Sequence, residues 1–331
     1  MRPVEWRPPH RLLLVSAAMV AGAGVILATH RDQTREVWNN LTGVPVAALA
    51  TAFALVLGQL TGQACRLWAI LPRDVALTLG RTAYAFTVGE WLNIFAPARA
   101  GDALKVVLLN RVAGAQPISL PKATGAVLAD KVIDFGSLIL LCAATGLAGL
   151  VRAGTEAKLP GAGVVLGVVG GVALAVWGLR LLRPHWFERL GVMRRELVTG
   201  LAALRDPLRI AASTACSLGA WIAELLALRV LCAALGFPLT PPQLVLALVA
   251  VNIGVSVPVS FANLGVYEAA LTFGLGQSGV PLPSAVAIAT LHHALELGAT
   301  NLGAAALSLW ALARRGPGRE PQPRPATSEE S

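Results

Sequence analysis

Charged side chains are scarce in this sequence, at 14% of 331 residues against 55% hydrophobic ones. The mean hydropathy of +0.66 excludes an ordinary water-facing globule. Catalytic signatures are missing too. No G-x-x-x-x-G-K-[ST] loop occurs, so the sequence holds no ATP motor. No nucleophile motif, D-x-D pair or zinc-protease helix occurs, and the longest water-facing stretch, 183–207, is too short for a soluble catalytic domain. Cysteines number four, and Cys65, Cys142, Cys216 and Cys232 all lie in apolar runs without metal-ligand spacing. They read as small core residues. Neither enzymatic activity, a cofactor nor a metal is expected.

What the sequence does have is long apolar runs, at 12–29, 44–71, 123–151, 161–182, 208–236 and 284–312. About 20 such residues cross roughly 30 Å of hydrocarbon at helical rise. None alternates apolar and polar positions as a β-barrel strand does. In lipid the backbone must satisfy its own hydrogen bonds, so these runs are helices. The expected class is an all-α integral membrane protein. A net charge of +9 raises nucleic acid as a partner, but the basic residues sit in short loops between apolar runs. That placement is a topology signal and an attraction for anionic headgroups, not a nucleic-acid surface.

The basic residues also set the orientation. They collect at Arg2, Arg7 and Arg11, in a loop holding Arg66, Arg73 and Arg81, between Arg180 and Arg209, and at Arg314, Arg315 and Arg319. On the other side, 30–43 is charge-balanced and 237–242 and 276–283 carry no charge. One side receives every basic loop if there are six full spans with both termini cytoplasmic, in a bacterial-type inner membrane. Residues 1–11 are then a cytoplasmic N-terminus, 12–313 the membrane domain, and 314–331 a Pro- and charge-rich disordered tail. The 12–29 run is longer than a signal-peptide core and is read as an uncleaved span.

That count requires two further apolar regions not to cross. Residues 82–112 break at APARAG, around Pro97 and Gly101, and 243–276 break at PVSFANLG, around Pro258 and Gly265. Each arm is about 12 to 16 residues, or roughly 18–24 Å, short for a crossing. Two re-entrant helical hairpins are therefore expected, one from each side of the membrane. They share a faint similarity, with Asn93 and Asn252 about 160 residues apart. An inverted repeat with a site where the tips meet gives this pattern; two ordinary kinked spans are the alternative.

Ionisable groups inside spans cost about 2.5–3.5 kcal/mol each on insertion scales and mark partners or wet paths. Here they cluster as Glu90, Arg99, Asp102 and Lys105 at the first break, and Asp130, Lys131 and Asp134 in the next span. Asn263 and Glu268 lie at the second break, and His292, His293 and Glu296 in the last span. Asp130 and Asp134 share a helix face, and Lys131 is spaced to pair with Asp134 as a structural ion pair. Arg229, near a span end, reads as reaching for the interface. Glu224 is either a buried protonated acid or a member of the cluster. His292, His293 and Glu296 read as interhelical packing and hydrogen bonding, since HHALE lacks the second ligand pair of a zinc helix. Arg99 and Lys105 flank the start of a helix whose first amides form an anion site. Arg99 either contacts a lipid headgroup there or neutralises Asp130 or Asp134.

The series LNIFAPARAGDALK, AVLADKVIDF and VPVSFANLGVYEAAL, over roughly residues 10–315, resembles the lysylphosphatidylglycerol synthase transmembrane-region family, also described as flippase-like. Its members include the membrane half of multiple peptide resistance factor and stand-alone proteins of hopanoid or glycolipid pathways. The family's first motif falls on Pro97, Arg99, Gly101, Asp102 and Lys105, with Asp for the usual Glu and Lys for the usual Arg. Its second falls on Asp130, Lys131 and Asp134, again with Lys for Arg. Its third falls on Pro258, Gly265 and Glu268, with Phe261, Ala262 and Asn263 replacing a glycine-rich stretch and Tyr267 a basic residue. The resemblance implies translocation of an anionic lipid or lipid-linked substrate, bound by Arg99, Lys105, Asn93, Asp102, Asp130, Lys131, Asp134 and Glu268. Lys for Arg exchanges a planar fork for a point charge, which alters the expected substrate or activity. No aminoacyl-transfer segment accompanies these motifs, so lysyl transfer is not expected. A membrane-embedded lipid transferase using Asp130 or Asp134 as base, and a non-transporting accessory subunit beside a lipid-biosynthesis enzyme, are the rival readings.

Overall fold

The computed structural model describes residues 31–72, 74, 77–96, 100–113, 118–153, 195, 198–256 and 261–314, with side chains omitted at 147–153, 203 and 261. The expected spans 12–29 and 161–182, the tail from 315 onward, and Pro97, Arg99 and Pro258 lie outside the described residues. Within them the chain is helical, with no strand. In chain order the helices are α1 (Arg31–Gly43), α2 (Val46–Ile70), α3 (Leu79–Phe95), α4 (Ala100–Val112) and α5 (Leu120–Ala153). After a 3₁₀ turn, Ala202–Arg205, come α6 (Pro207–Ala234) and α7 (Pro241–Val255). A second 3₁₀ turn, Phe261–Asn263, precedes α8 (Val266–Gly276), and α9 (Leu282–Ala313) closes the order.

Three helices, α2, α6 and α9, are long and apolar enough to cross a membrane. At 1.5 Å per residue they run about 38, 42 and 48 Å. Their starts are locally encoded. Asp206 accepts the backbone N–H groups of Leu208 and Arg209 ahead of α6, and Pro207 opens it with a preset φ. Pro281 caps α9 and Pro283 sits in its first turn, where a missing N–H costs nothing. Helix α5 spans 34 residues, with Asp130, Lys131 and Asp134 in its first half.

The exposure pattern inverts that of a water-soluble protein. Arg66 and Lys105 are each 1% exposed, while Phe273 is 64% and Leu309 is 67% exposed. Charge inside and large apolar side chains outside suit a hydrocarbon solvent. Two apolar clusters fill the interior. One, around Leu67, Phe86, Leu109 and Ile133, joins α2 through α5; the other, around Leu228, Leu248, Leu271 and Ile288, joins α6 through α9 and takes in Val56 of α2 and Leu138 of α5.

Helices α3 and α4 pair closely, as do α7 and α8. Their breaks fall where proline and glycine were expected, and the pairs end at 112 and 276 as expected while starting earlier than 82 and 243, at Leu79 and Pro241. Each of the four arms is shorter than the roughly 30 Å hydrocarbon core, the longest being about 26 Å. The pairings follow a two-part pattern. Helix α2 packs most extensively on α6, α5 meets α6 as α9 meets α2, and α4 meets α5 as α8 meets α9. At the near ends of α2 and α5, Lys122 pairs with Asp74. That hydrogen bond holds the Asp74 carboxyl below its usual range. The staple is thus intact at neutral pH and lost as acid protonates Asp74.

Close backbone approach defines both pairs. A Cβ at Gly101 would overlap the Gly89 carbonyl oxygen and stand 2.6 Å from Asn93 Oδ1, and one at Gly274 would meet Ala247 Cα at 2.6 Å. Gly101→Ala is therefore expected to cost about 1–3 kcal/mol through overpacking. Gly136→Ala, on α5 with nothing within 4 Å of the new atom, is expected to be neutral or to stabilise by up to about 1 kcal/mol through helix propensity. Thermal unfolding of the detergent-purified variants separates the two, and equal melting temperatures would contradict this packing.

Candidate functional site

The site begins with Arg66. The sequence places it in a basic loop after the second span, but α2 continues to Ile70 and holds Arg66 inside the bundle. Its Nε donates to Asp130 Oδ1 at 2.7 Å and its Nη2 to Asp130 Oδ2 at 3.2 Å, a two-pronged clasp. Its Nη1 pairs with Asp134 and donates to Ser217 Oγ at 3.3 Å. Ser213 Oγ donates to the Arg66 carbonyl at 3.2 Å. One guanidinium thus ties α2 to α5 and α6. The expected Lys131–Asp134 pair is corrected accordingly: Asp134 is held by Arg66, and Lys131 turns the other way, toward α3 and α4.

There it joins the first hairpin's own cluster. Lys105, from α4, pairs with Glu90 of α3 and donates to Asp102 Oδ1 at 2.9 Å. Its ammonium also lies 4.5 Å from the centroid of the Phe86 ring. Asn93 Nδ2 donates to Glu90 Oε2 and Asp102 Oδ1, each at 3.2 Å. Lys131 Nζ lies 3.6 Å from Asp102 Oδ1 and 3.8 Å from Glu90 Oε1, near enough for Coulomb attraction but past hydrogen-bond length. Two lysines therefore balance two carboxylates, one tightly and one loosely.

The second hairpin carries a different chemistry. Ala262, Asn263 and Gly265 turn the chain at φ 53°, 55° and 82°. Glycine and asparagine enter this left-handed region readily, and alanine does so at a cost of roughly 1–2 kcal/mol. Glu268 Oε2 accepts the Gly265 N–H at 2.7 Å, fixing the start of α8, and its Oε1 lies 2.7 Å from His293 Nδ1 on α9. Tyr267 hydroxyl and His292 Nδ1 lie 2.7 Å apart, and the Tyr267 ring stacks on His293 at 4.2 Å. Both histidines thus serve interhelical hydrogen bonding, and the described residues contain no His, Cys, Asp or Glu group of metal-site size. Glu224, buried on α6, receives the Gln59 side-chain amide at 3.1 Å.

Between the two hairpins lies a cavity of about 240 Å³. Gln59 and Arg66 face it from α2, Glu90 and Asn93 from α3, and Lys131 and Asp134 from α5. Trp221 and Glu224 (α6), Asn252 (α7), Asn263 and Tyr267 at the second turn, and His293 and Glu296 (α9) complete its polar wall. Of the residues expected to bind substrate, Asn93, Lys131 and Asp134 line the cavity. Asp102, Lys105, Asp130 and Glu268 stand behind it, each holding a wall residue. Lys105 in particular is buried against two carboxylates and is not presented to the cavity. Arg99 lies outside the described residues. Sequence reasoning missed Arg66 and Gln59 and left Glu224 open. The signal was available: Gln59, Gln63 and Arg66 follow an i, i+4, i+7 spacing on one face of an apolar helix, and all three line the cavity.

Long apolar helices, an apolar exterior and an ion-paired interior define a multi-pass helical membrane protein. The profile of the lysylphosphatidylglycerol synthase TM region family matches residues 13–303, and the chain belongs to that family. No curated protein and no solved structure matches the chain.

Removing Arg66 leaves two buried carboxylates without their cation. Arg66→Ala is expected to destabilise by about 3–5 kcal/mol, and Arg66→Lys, which keeps the charge but loses the fork, by less. Thermal unfolding in detergent reads both, and an unperturbed Arg66→Ala protein would show that the clasp is not structural.

Proposed function

We propose that this protein binds and translocates a lipid or lipid-linked substrate whose polar, anionic headgroup passes through the cavity between the two hairpins. The observation that carries this reading is the loosely held Lys131. Its side chain lies on the cavity wall, 29% exposed, and its ammonium makes contacts of 3.6 and 3.8 Å with two carboxylates that Lys105 behind it already binds more closely. A phosphate entering the cavity draws Lys131 away at little cost, because Glu90 and Asp102 keep Lys105. Arg99, just ahead of α4, is proposed to join it at that helix's N-terminus.

In this reading α3–α4 and α7–α8 dip into the membrane from opposite sides and return, within two inverted repeats, α2–α5 and α6–α9. The matching helix contacts of the two halves support the repeat, and the short arms support re-entry. Rocking of one repeat against the other would alternate access to the cavity. The membrane is the bacterial-type inner membrane with both termini cytoplasmic, as the basic loops favour. The transferase reading is disfavoured because Arg66 holds Asp130 by both oxygens and also engages Asp134. Pairing with a guanidinium lowers the basicity of a carboxylate.

Purified protein in proteoliposomes is expected to exchange a headgroup-labelled anionic phospholipid between leaflets faster than protein-free vesicles. Lys131→Ala is expected to slow exchange about tenfold or more, the size of one lost charge-assisted contact, with partial recovery in Lys131→Arg. Equal rates for wild type and Lys131→Ala would remove Lys131 from the site. Wild-type vesicles no faster than empty ones would overturn the transport reading and favour the accessory role.

A further inference from the structure

The cations of the site are all engaged on one side of the cavity. Among the described residues Arg66 is held by Asp130 and Asp134, and Lys105 and Lys131 by Glu90 and Asp102. His293 faces Glu268. Two cavity carboxyls remain, Glu224 on α6 and Glu296 on α9, and neither forms an ion pair among these residues. Gln59 Nε2 donates to Glu224 Oε2 at 3.1 Å, and Gln59, Glu224 and Glu296 line the same cavity. Gln59 and Glu224 are 8% and 6% exposed. Glu296 Oε1 is sealed from solvent and meets no donor among the described residues.

The neighbouring elements mostly add to this imbalance, and His293, one turn away on α9, offsets it only when protonated. Glu90 (α3) and Asp134 (α5) bring further negative charge toward the pair. Arg66 (α2) and Lys131 (α5) are committed as described, and Tyr267 (α8) is closed onto His292 (α9). Two cavity carboxylates without an ion pair among the described residues, one held by a neutral amide and the other with an oxygen that meets no donor, cannot both remain ionised in a membrane interior. We infer that Glu224 and Glu296 together bind an exchangeable proton, and that its occupancy is communicated to the turn of the second hairpin. This rests on the transport reading only for what the proton would drive, not for the site itself.

In this inference the route to the turn runs through His293, whose contact with Glu268 reaches the Gly265 N–H. His293 sits one helical turn before Glu296 on the same face of α9. It commits Nδ1 to Glu268, which leaves Nε2 to receive a proton. When the Glu296 O–H bond breaks and an N–H bond forms on His293, Glu296 becomes carboxylate and the imidazole becomes imidazolium. The His293–Glu268 contact then becomes a full ion pair at the N-terminus of α8, where Glu268 also holds the Gly265 N–H. A proton on the glutamate pair and a proton on His293 therefore load the strained Ala262–Gly265 turn differently. An anionic headgroup travelling with a proton moves less net charge, which lowers the cost of carrying it through hydrocarbon.

Infrared difference spectroscopy of the purified full chain tests the site without any transport. The wild type is expected to show a protonated-carboxyl carbonyl band at neutral pH that disappears on alkaline titration. Glu224→Gln and Glu296→Gln are each expected to diminish it, and the double variant to remove it. These near-isosteric changes keep the packing, and a thermal melt of each variant checks that it folds. Absence of the band in the wild type, or its persistence in the double variant, overturns the proposal. A pH gradient across proteoliposomes is then expected to change the wild-type exchange rate severalfold, with the response lost in Glu296→Gln and restored in part in Glu296→Asp. A response to a sodium gradient in place of a proton gradient overturns the proton assignment. A titrating band that obeys these variants in a protein showing no leaflet exchange leaves the site standing and overturns the transport reading instead.

Discussion

A guanidinium with nowhere else to go organises this protein. Arg66 lies one turn from the end of a mostly apolar helix, at 1% exposure, and its charge is met by Asp130 and Asp134 one turn apart on α5. In hydrocarbon none of the three is tolerable alone, so the contact fixes where α2 and α5 stand, and the Ser213 and Ser217 hydroxyls bring α6 to the same point. The cavity lies beside this contact, with Arg66 and Asp134 among its lining residues. Charge here works less as a source of stability than as a constraint on which helices meet.

The two hairpins flank that cavity with unlike chemistries. The first is an ion-pair lattice of Glu90, Asp102, Lys105 and Lys131, closed by the Gly89–Gly101 contact, and it presents one loosely bound ammonium. The second is a hydrogen-bonded chain from Gly265 through Glu268 to His293, beside carboxyls that lack a cation among the described residues. One wall is suited to receiving fixed charge and the other to holding a proton. The two broken helix pairs, α3–α4 and α7–α8, thus carry different side-chain equipment.

Much of the fold could be read from the sequence, because its determinants are local. Proline and glycine together inside an apolar run interrupt a helix, so the breaks between α3 and α4 and between α7 and α8 were legible, and the apolar runs that are described appear as helices. The identity of ionisable residues inside apolar runs likewise pointed to the right neighbourhood. Pairing was not legible, since a carboxylate's partner is chosen across helices by tertiary packing. Lys131 and Asp134, adjacent on one helix, face different partners for that reason. Arg66 was misplaced because an arginine near the end of an apolar run is equally a topology marker. Only its spacing from Gln59 and Gln63 distinguished a polar stripe from a loop. The swap of Arg for Lys at positions 105 and 131 gains meaning from the structure: position 105 is an internal counter-ion, while position 131 faces the cavity.

The central claim is that a lipid headgroup occupies the space between the two hairpin turns. Photo-crosslinking with a phospholipid bearing the reactive group on its headgroup, followed by mapping of the modified peptides, addresses it directly. Adducts are expected on the cavity-facing segments around Asn93, Asn263 and Thr300, and competition by unlabelled lipid should remove them. Adducts confined to the outward apolar faces around Phe273 and Leu309, with none inside, would contradict it.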